Sequence, residues 1–137
     1  MYKLSENSKK NRDGVDQRLI EISDLAIKIT AVDFGHPADG GVRTAERQYE
    51  LYTEGKSECD GVKNKSRHQS GLALDFYAFV NGKASWEPLH LAMVASAFLQ
   101  AASILGYKLS WGGLFEPYKT TDGMKHGWDM PHVELVE

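Results

Sequence analysis

The stretch from Pro88 to Tyr107 restricts the fold of this chain most strongly, because it contains no Asp, Glu, Lys or Arg. A helix of that length can in principle cross a bilayer. However, Ser96, Gln100 and Ser103 recur at helical spacing and form a narrow polar stripe, which a membrane-spanning helix does not need. We therefore interpret the stretch as a core helix of a soluble domain that ends at Gly106.

Length, charge and cysteine content exclude several classes of protein. The chain has 137 residues and a formal net charge of -3, as expected for one ordinary globular domain. It lacks the clustered cations that make nucleic acid a main partner. Cys59 is the only cysteine in the sequence, so an internal disulfide and a Cys-rich zinc finger are both impossible. Any metal site must therefore use His and carboxylate ligands.

Local signals predict two helices and a short strand in the first half. Apolar residues recur at helical spacing from about Val15 to Ile29. An extended segment around Val32 to Phe34 should follow. Thr44 is a good N-cap for a second helix that closes near Gly55.

The second half predicts strands around the long helix. Leu72 to Val80 alternates as one strand, and Asn81-Gly82 is a strong hairpin signal after it. Tyr107 to Trp111 and His132 to Val136 should form two more strands. The sequence thus predicts an α+β domain in which helices pack on a small, largely antiparallel sheet.

Potential chemistry concentrates in two segments, Ser66 to Asp75 and Asp129 to Glu134. A catalytic zinc takes three protein ligands and leaves a fourth position for water, and His68, Asp75 and His132 would provide such a set. Asp75 also falls within an otherwise apolar strand, where a carboxylate is unusual unless its face is wet or lines a metal.

Asp129 is the candidate general base. It lies three residues before His132, and the intervening Met130-Pro131 step can bend the chain so that both side chains converge. Pro131 lacks an N–H group and is expected at a strand start or edge. A carboxylate beside a metal-activated water can accept its proton and pass it to a leaving amine.

Each of these residues also has a purely structural interpretation. A single histidine such as His68 is often a hydrogen-bonded structural or surface residue. Asp75 alone can be an exposed strand carboxylate, and Asp129 alone a turn or capping residue. The combination of His68, Asp75, Asp129 and His132 at these spacings favours a site.

Three ordered motifs resemble those of one enzyme group. Gly41 to Thr44 resembles Gly-x-Arg-Thr, Ser66 to Asp75 resembles Ser-x-His-x-x-Gly-x-Ala-x-Asp, and Asp129 to Glu134 resembles Asp-x-x-His-x-Glu. On these motifs the chain resembles, over nearly its full length, the LAS group of zinc peptidases. That group includes D-Ala-D-Ala carboxypeptidases and vancomycin-resistance dipeptidases. The chain is most similar to phage endolysins of the L-alanyl-D-glutamate peptidase type.

This resemblance implies a Hedgehog/DD-peptidase-like fold and a single zinc peptidase catalytic domain over residues 1–137. It implies one Zn2+ per chain, with His68, Asp75 and His132 as ligands and Asp129 as catalytic base. It also implies that Arg43 stabilises the carbonyl oxygen. An arginine equally suits the free α-carboxylate of D-Glu, so both roles stay open, as does that of a surface arginine at a helix start.

His126, Ser66 and Trp128 are further candidates for substrate contact. His126 lies six residues before His132 and is as easily a solvated loop histidine. Ser66 is expected to hydrogen-bond near His68. Trp128 belongs to a group of aromatic residues that either shape a cleft or fill the core.

The expected function is hydrolysis of the L-Ala to D-Glu bond of peptidoglycan stem peptides by a monomeric phage lysis enzyme. The polar N-terminus lacks the apolar core of a secretory signal, which predicts synthesis in the host cytoplasm and release through a membrane hole made by another phage protein. We expect neither nucleic-acid binding nor stable membrane insertion. The alternatives are a D-Ala-D-Ala carboxypeptidase or dipeptidase, and an inactive zinc-bearing wall-binding module.

Overall fold

The computed structural model describes residues 1–116 and 126–136. Short helices and strands alternate along these residues. The α-helices are α1 (Glu6–Asn11), α2 (Gln17–Ile29), α3 (Ala45–Thr53) and α4 (Pro88–Leu105). The strands are β1 (Asp33–Gly35), β2 (Ala73–Asp75), β3 (Tyr77–Val80), β4 (Lys83–Ser85), β5 (Leu109–Trp111) and β6 (His132–Leu135). Two 3-10 helices, Arg67–Ser70 and Gly112–Leu114, connect them.

The strands form two antiparallel sheets rather than the one small sheet that was expected. One sheet has the order β1-β3-β4 and the other the order β2-β6-β5. The α+β class with small antiparallel sheets is confirmed. The second sheet matters for function, because it joins two segments that are far apart in the sequence.

The prediction of one continuous strand from Leu72 to Val80 is wrong. The chain leaves the second sheet after Asp75 and enters the first sheet at Tyr77. At the break, the Phe76 N–H donates to the Pro131 carbonyl at 2.8 Å and the Asp75 N–H donates to the Gly40 carbonyl at 2.7 Å. The residues alternate in hydrophobicity on both sides of the break, so the pattern itself does not reveal that the strand changes sheet.

The core lies between α2, α4 and the inner faces of the sheets. α4 begins at Pro88 and ends before Gly106, whose φ of 79° is left-handed, as predicted. Its buried face includes Leu91, Val94 and Phe98, and the predicted polar stripe is exposed. Of the described helices, α4 is the one long and apolar enough to cross a membrane by length and composition.

Helix α1 was not predicted from the polar N-terminus. Ser5 caps it by accepting a hydrogen bond from the Ser8 N–H. Just after it, Arg12 is buried and pairs with Asp24 at 2.7 Å. A six-residue helix carries too few apolar positions to show a periodicity, so only its cap could have indicated it.

The other local signals are confirmed. Asp16 caps α2 and Thr44 caps α3 through side-chain oxygens. Asn81 and Gly82 have φ values of 52° and 77°, the left-handed conformation that a tight hairpin turn requires.

Candidate metal centre

A capped 3-10 turn positions His68. The Ser66 hydroxyl accepts from the His68 N–H at 3.2 Å, and the Gln69 side chain accepts in return from the Ser66 N–H at 2.9 Å. Gly71 ends the turn with φ of 71°, which is costly for any other residue. The expected hydrogen bond of Ser66 near His68 is thus confirmed, and this bond fixes the backbone from which His68 projects.

Sheet register brings the other two candidates together. In the antiparallel pair of β2 and β6, Asp75 lies directly opposite His132. Directly opposite residues place their side chains on the same face of the sheet. The Asp75 carboxylate and the His132 ring therefore share one face, where they meet His68 from the 3-10 turn.

The three side chains converge at one point. His68 Nε2 lies 3.2 Å from His132 Nδ1 and 3.2 Å from Asp75 Oδ1, and the last two atoms are 3.1 Å apart. His68 and His132 are buried, and Asp75 is half-buried. Within the described residues these three form a group whose ligand atoms could hold a metal ion.

Hydrogen bonds on the far side of each imidazole ring determine which ring nitrogen faces this point. His68 Nδ1 lies 2.9 Å from the Gly41 carbonyl oxygen, to which it can only donate. His132 Nε2 lies 2.9 Å from Glu134 Oε1 and donates to it in the same way. In the neutral rings this leaves lone pairs on His68 Nε2 and His132 Nδ1.

The chemistry of this donor set fits a metal ion. Two imidazole lone pairs and a carboxylate oxygen would repel one another unless a cation lies between them. Tetrahedral zinc with N and O ligands at about 2.0 Å separates those ligand atoms by about 3.3 Å, close to the observed triangle.

Electrostatics at the triangle also favour positive charge. Burial alone would raise the pKa of Asp75, but hydrogen bonds from His132 and His68 hold it well below its usual range. Burial alone would, in contrast, lower the pKa of His132, but the hydrogen bonds of His132 to Asp75 and Glu134 raise this pKa to about 10. A bound metal would take the place of the proton that this site otherwise attracts.

Asp129 lies beside the triangle, as the Met130-Pro131 bend predicted. Its Oδ2 is 3.6 Å from His132 Nδ1, and its carbonyl accepts from the His132 N–H at 3.3 Å, which closes the turn. Burial raises the pKa of Asp129, although the nearby His132 opposes this. A carboxylate with a raised pKa is better able to accept a proton.

Arg43 is a largely buried cation of the same site rather than a surface residue. Only 13% of its side chain is exposed, and its Nη2 lies 3.3 Å from Asp75 Oδ2. Its Nε donates to the Asp39 carbonyl at 2.7 Å and its Nη1 to Gln48 Oε1 at 3.2 Å. The guanidinium is therefore held in a fixed orientation next to a candidate ligand.

Gln48 is a supporting residue that the sequence analysis missed. It is fully buried on α3, where it accepts from Arg43 and donates through Nε2 to Ser57 Oγ and the Cys59 carbonyl, each at 2.7 Å. Gln48 thus ties Arg43 to the loop that forms one wall of the site. A polar residue one turn before the buried Leu51 was the available signal.

Glu134 is a second supporting residue whose role was not assigned. Besides holding His132, its Oε2 lies 3.4 Å from Arg67 Nε, and Arg67 also donates to the Leu135 carbonyl. The hydrogen bond with His132 lowers the pKa of Glu134, so it stays an anionic acceptor.

A cleft of about 530 Å³ opens over these residues. Ser66 and Trp128 line it, so both can reach a bound molecule, although the Ser66 hydroxyl already caps His68. His126 does not line this cleft and lies instead in a neighbouring groove. The remaining predicted residues line it together: Arg43, His68, Asp75, Asp129 and His132.

A catalytic metal site in a hydrolase typically has three side chains that can bind the metal, an adjacent carboxylate and an open cleft. The site described above has all of these. The fold and the site therefore fit the class of metal-dependent hydrolases.

Comparison with known proteins identifies the family within this class. Residues 1–136 match the family described as phage L-alanyl-D-glutamate peptidase. The chain is 33% identical over 138 residues to the L-alanyl-D-glutamate peptidase of Escherichia phage T5, covering 98% of each. The crystal structure of Serratia marcescens L-Ala D-Glu endopeptidase ChiX superimposes with a TM-score of 0.78 at 30% identity, covering 98% of this chain and 90% of that one. The chain belongs to the phage L-alanyl-D-glutamate peptidase family.

Proposed function

We propose that this protein is a zinc-dependent endolysin that hydrolyses the amide bond between L-Ala and D-Glu in peptidoglycan stem peptides. The observation that carries the proposal is the convergence of His68, Asp75 and His132 beside Asp129 in an open cleft, in a chain of this family. Membership of a peptidase family supports the reaction class, and the names of the relatives support the choice of bond.

His68 Nε2, Asp75 Oδ1 and His132 Nδ1 would hold one zinc ion. Zinc there supplies a Lewis acid that polarises the scissile carbonyl group and lowers the pKa of a water molecule. The Gly41 carbonyl and the Glu134 carboxylate keep the two rings in the orientation that ligation needs.

Asp129 acts as the proton carrier. As water adds to the L-Ala carbonyl carbon, the Asp129 carboxylate accepts its proton, and it then donates that proton to the D-Glu nitrogen as the C–N bond breaks. The second proton of the water stays on the new carboxyl group, so the products are a carboxyl group on L-Ala and a free amine on D-Glu. Burial of Asp129, which raises its pKa, supports both halves of this transfer.

Arg43 stabilises the negative charge that develops on the carbonyl oxygen. Its contact with Asp75 supports this role over binding of the D-Glu α-carboxylate, because it holds the guanidinium next to the metal ligands. Three of its five N–H donors are used by Asp39, Gln48 and Asp75. A fixed cation of this kind stabilises a transition state without reorganisation during the reaction.

The proposal also covers the oligomeric state of the protein, its partners and its route to the cell wall. Residues 1–137 act as a monomeric catalytic domain that docks peptidoglycan with its own cleft, and neither nucleic acid nor a bilayer is a partner. The protein is made in the host cytoplasm and reaches the wall through a membrane hole formed by another phage protein. Action of phage endolysins on the cell wall supports this route.

The test is mass spectrometry of the soluble products from purified peptidoglycan, with and without a chelator followed by added zinc. We expect new L-Ala carboxyl and D-Glu amino termini that depend on zinc. Release of terminal D-Ala would instead indicate a carboxypeptidase. Bound zinc without any cleavage would indicate a binding module.

A further inference from the structure

A second cavity of about 320 Å³ adjoins the cleft, and we call it the tryptophan groove. Trp86 and Trp128 are 51% and 43% exposed, so both indole rings are open to a ligand. Large exposed aromatic rings grouped around a concavity mark a binding site more often than isolated ones do. The groove is lined by Trp86, Pro88, Leu91, His126, Trp128, Met130 and Pro131.

The groove and the cleft lie on either side of residues 128–132. Asp129 and His132 face the cleft, whereas Met130 and Pro131 line the groove. Trp128 lines both cavities. A molecule that extends across the metal centre can therefore continue past Trp128 into the groove without leaving the surface.

The two cavities differ in charge. Charged side chains of both signs line the cleft: the cations Arg43, Lys56, Lys65 and Arg67, and the carboxylates Glu58, Asp75, Asp129 and Glu134. The groove has no Asp, Glu, Lys or Arg among its described lining residues. The cleft therefore suits the charged part of a substrate, and the groove suits a part that is neutral and has apolar faces.

The substrate has this same division. On the carboxyl side of the scissile bond, D-Glu and the residues after it carry carboxylates. On the amino side there is only L-Ala, whose nitrogen is joined through a lactyl group to an N-acetylated sugar of the glycan strand. One extended residue spans about 3.5 Å, so the sugar must lie close to the metal centre during cleavage.

We propose that the tryptophan groove binds the N-acetylated sugar that carries the stem peptide, an inference that rests on the proposed function. The C–H face of a sugar ring packs on an indole ring through dispersion and the negative face of the π-system. Indole N–H groups can hydrogen-bond the hydroxyl and acetamido groups. Binding there would also set the direction of the peptide across the metal.

Trp86 is the residue that tests the groove, because it lies outside the catalytic machinery. Its described ring contact is with Tyr77, at a centroid separation of 5.8 Å. The experiment compares kcat/KM of the zinc-loaded enzyme for two substrates with the same scissile bond. One is a muramyl peptide, and the other is the same peptide with an acetyl group in place of the sugar.

We expect the wild-type enzyme to prefer the muramyl peptide by about tenfold, the effect of one or two stacking contacts. Trp86→Ala should remove most of this preference and leave kcat/KM for the acetyl peptide unchanged. Trp86→Phe should restore much of the preference, since a ring remains. Leu89 is an exposed apolar residue outside the groove. Leu89→Ala should therefore leave kcat/KM for both substrates unchanged.

Equal kcat/KM of the wild-type enzyme for both substrates would overturn the inference and leave the proposed function intact. An equal loss on both substrates in Trp86→Ala would also overturn it. Cleavage of neither substrate by the wild-type enzyme would instead remove the proposed function.

A second measurement keeps the test independent of the folding of the variants. N-acetylmuramyl-L-alanine, a product of the reaction, is titrated into the wild-type enzyme while the indole N–H resonances are followed by NMR. We expect shifts for Trp86 and Trp128 and not for Trp111, whose N–H is bonded to the Met130 carbonyl. Absence of any shift at Trp86 would contradict the groove assignment.

Discussion

At the scale of single residues, each candidate ligand contacts one further residue that fixes its orientation. Gly41 holds His68 and Glu134 holds His132. Arg43 contacts the outer oxygen of Asp75. Such contacts remove rotamer freedom before a metal binds, so the ligand atoms need little rearrangement.

Asp129→Asn should lower kcat by about 10²- to 10⁴-fold, because the amide cannot carry the proton from water to the leaving nitrogen. Zinc content should stay at the wild-type level, since Asp129 is not a proposed ligand. Steady-state kinetics on a stem peptide together with elemental analysis check both parts. Full activity in the variant would remove Asp129 as the base.

Glu134→Ala should weaken zinc binding by about 10- to 100-fold, because the His132 ring loses the acceptor that orients it. Glu134→Gln is the matched control, since its amide oxygen can still accept from His132, and it should retain more of the affinity. Competition titration with a chromophoric chelator measures both. Equal affinities in the wild type and Glu134→Ala would show that Glu134 does not support His132.

At the scale of elements, the 3-10 helix after β5 positions Asp129, the proposed base. The Asp129 N–H donates to the Gly112 carbonyl at 3.3 Å. A Cβ atom at Gly112 would clash with the Asp129 carbonyl oxygen. This close approach requires glycine and links the 3-10 helix after β5 directly to the segment that carries Asp129.

Gly112→Ala should therefore displace Asp129 and reduce kcat by at least about tenfold, since small misplacements of catalytic groups have effects of that size. Zinc content should remain unchanged. Gly82→Ala is the control, because it strains a left-handed turn but meets no atom within 4 Å. It should lower stability by about 1 kcal/mol without a change in kcat. An unaltered kcat in Gly112→Ala would contradict the placement.

Local signals predicted most elements but not their assembly. The caps Asp16 and Thr44 and the Asn81-Gly82 turn act within four residues, so they could be read from the sequence. The break at Phe76 could not, because it depends on a hydrogen bond to Pro131, far along the chain.

At the scale of the whole molecule, the candidate metal site joins segments distant in sequence. His68 precedes β2, Asp75 ends it, and His132 begins β6. A metal bound to all three would bind the folded state and not the unfolded chain, so its binding free energy adds to folding stability.

Removal of zinc should accordingly lower the Tm. At a free zinc concentration of about 1,000 times Kd, binding contributes about 4 kcal/mol, which corresponds to a shift of several degrees in a domain of this size. Differential scanning calorimetry with and without a chelator measures the shift, and added zinc should reverse it. His68→Ala should show no zinc-dependent shift. An equal Tm of the wild-type protein with and without the chelator would contradict the ligand assignment.

The sequence by itself determined helices α2, α3 and α4, the hairpin and the residue types of the site. Capping, turn preference and the burial of an uncharged helix depend on neighbouring residues, and the motifs placed His68, Asp75 and His132 in order along the chain. Tertiary structure alone decided that Asp75 lies opposite His132, that His68 meets His132, and that Trp86 and Trp128 line one groove. Each of these arrangements joins segments that are distant in sequence, and the packing of the whole core sets their register.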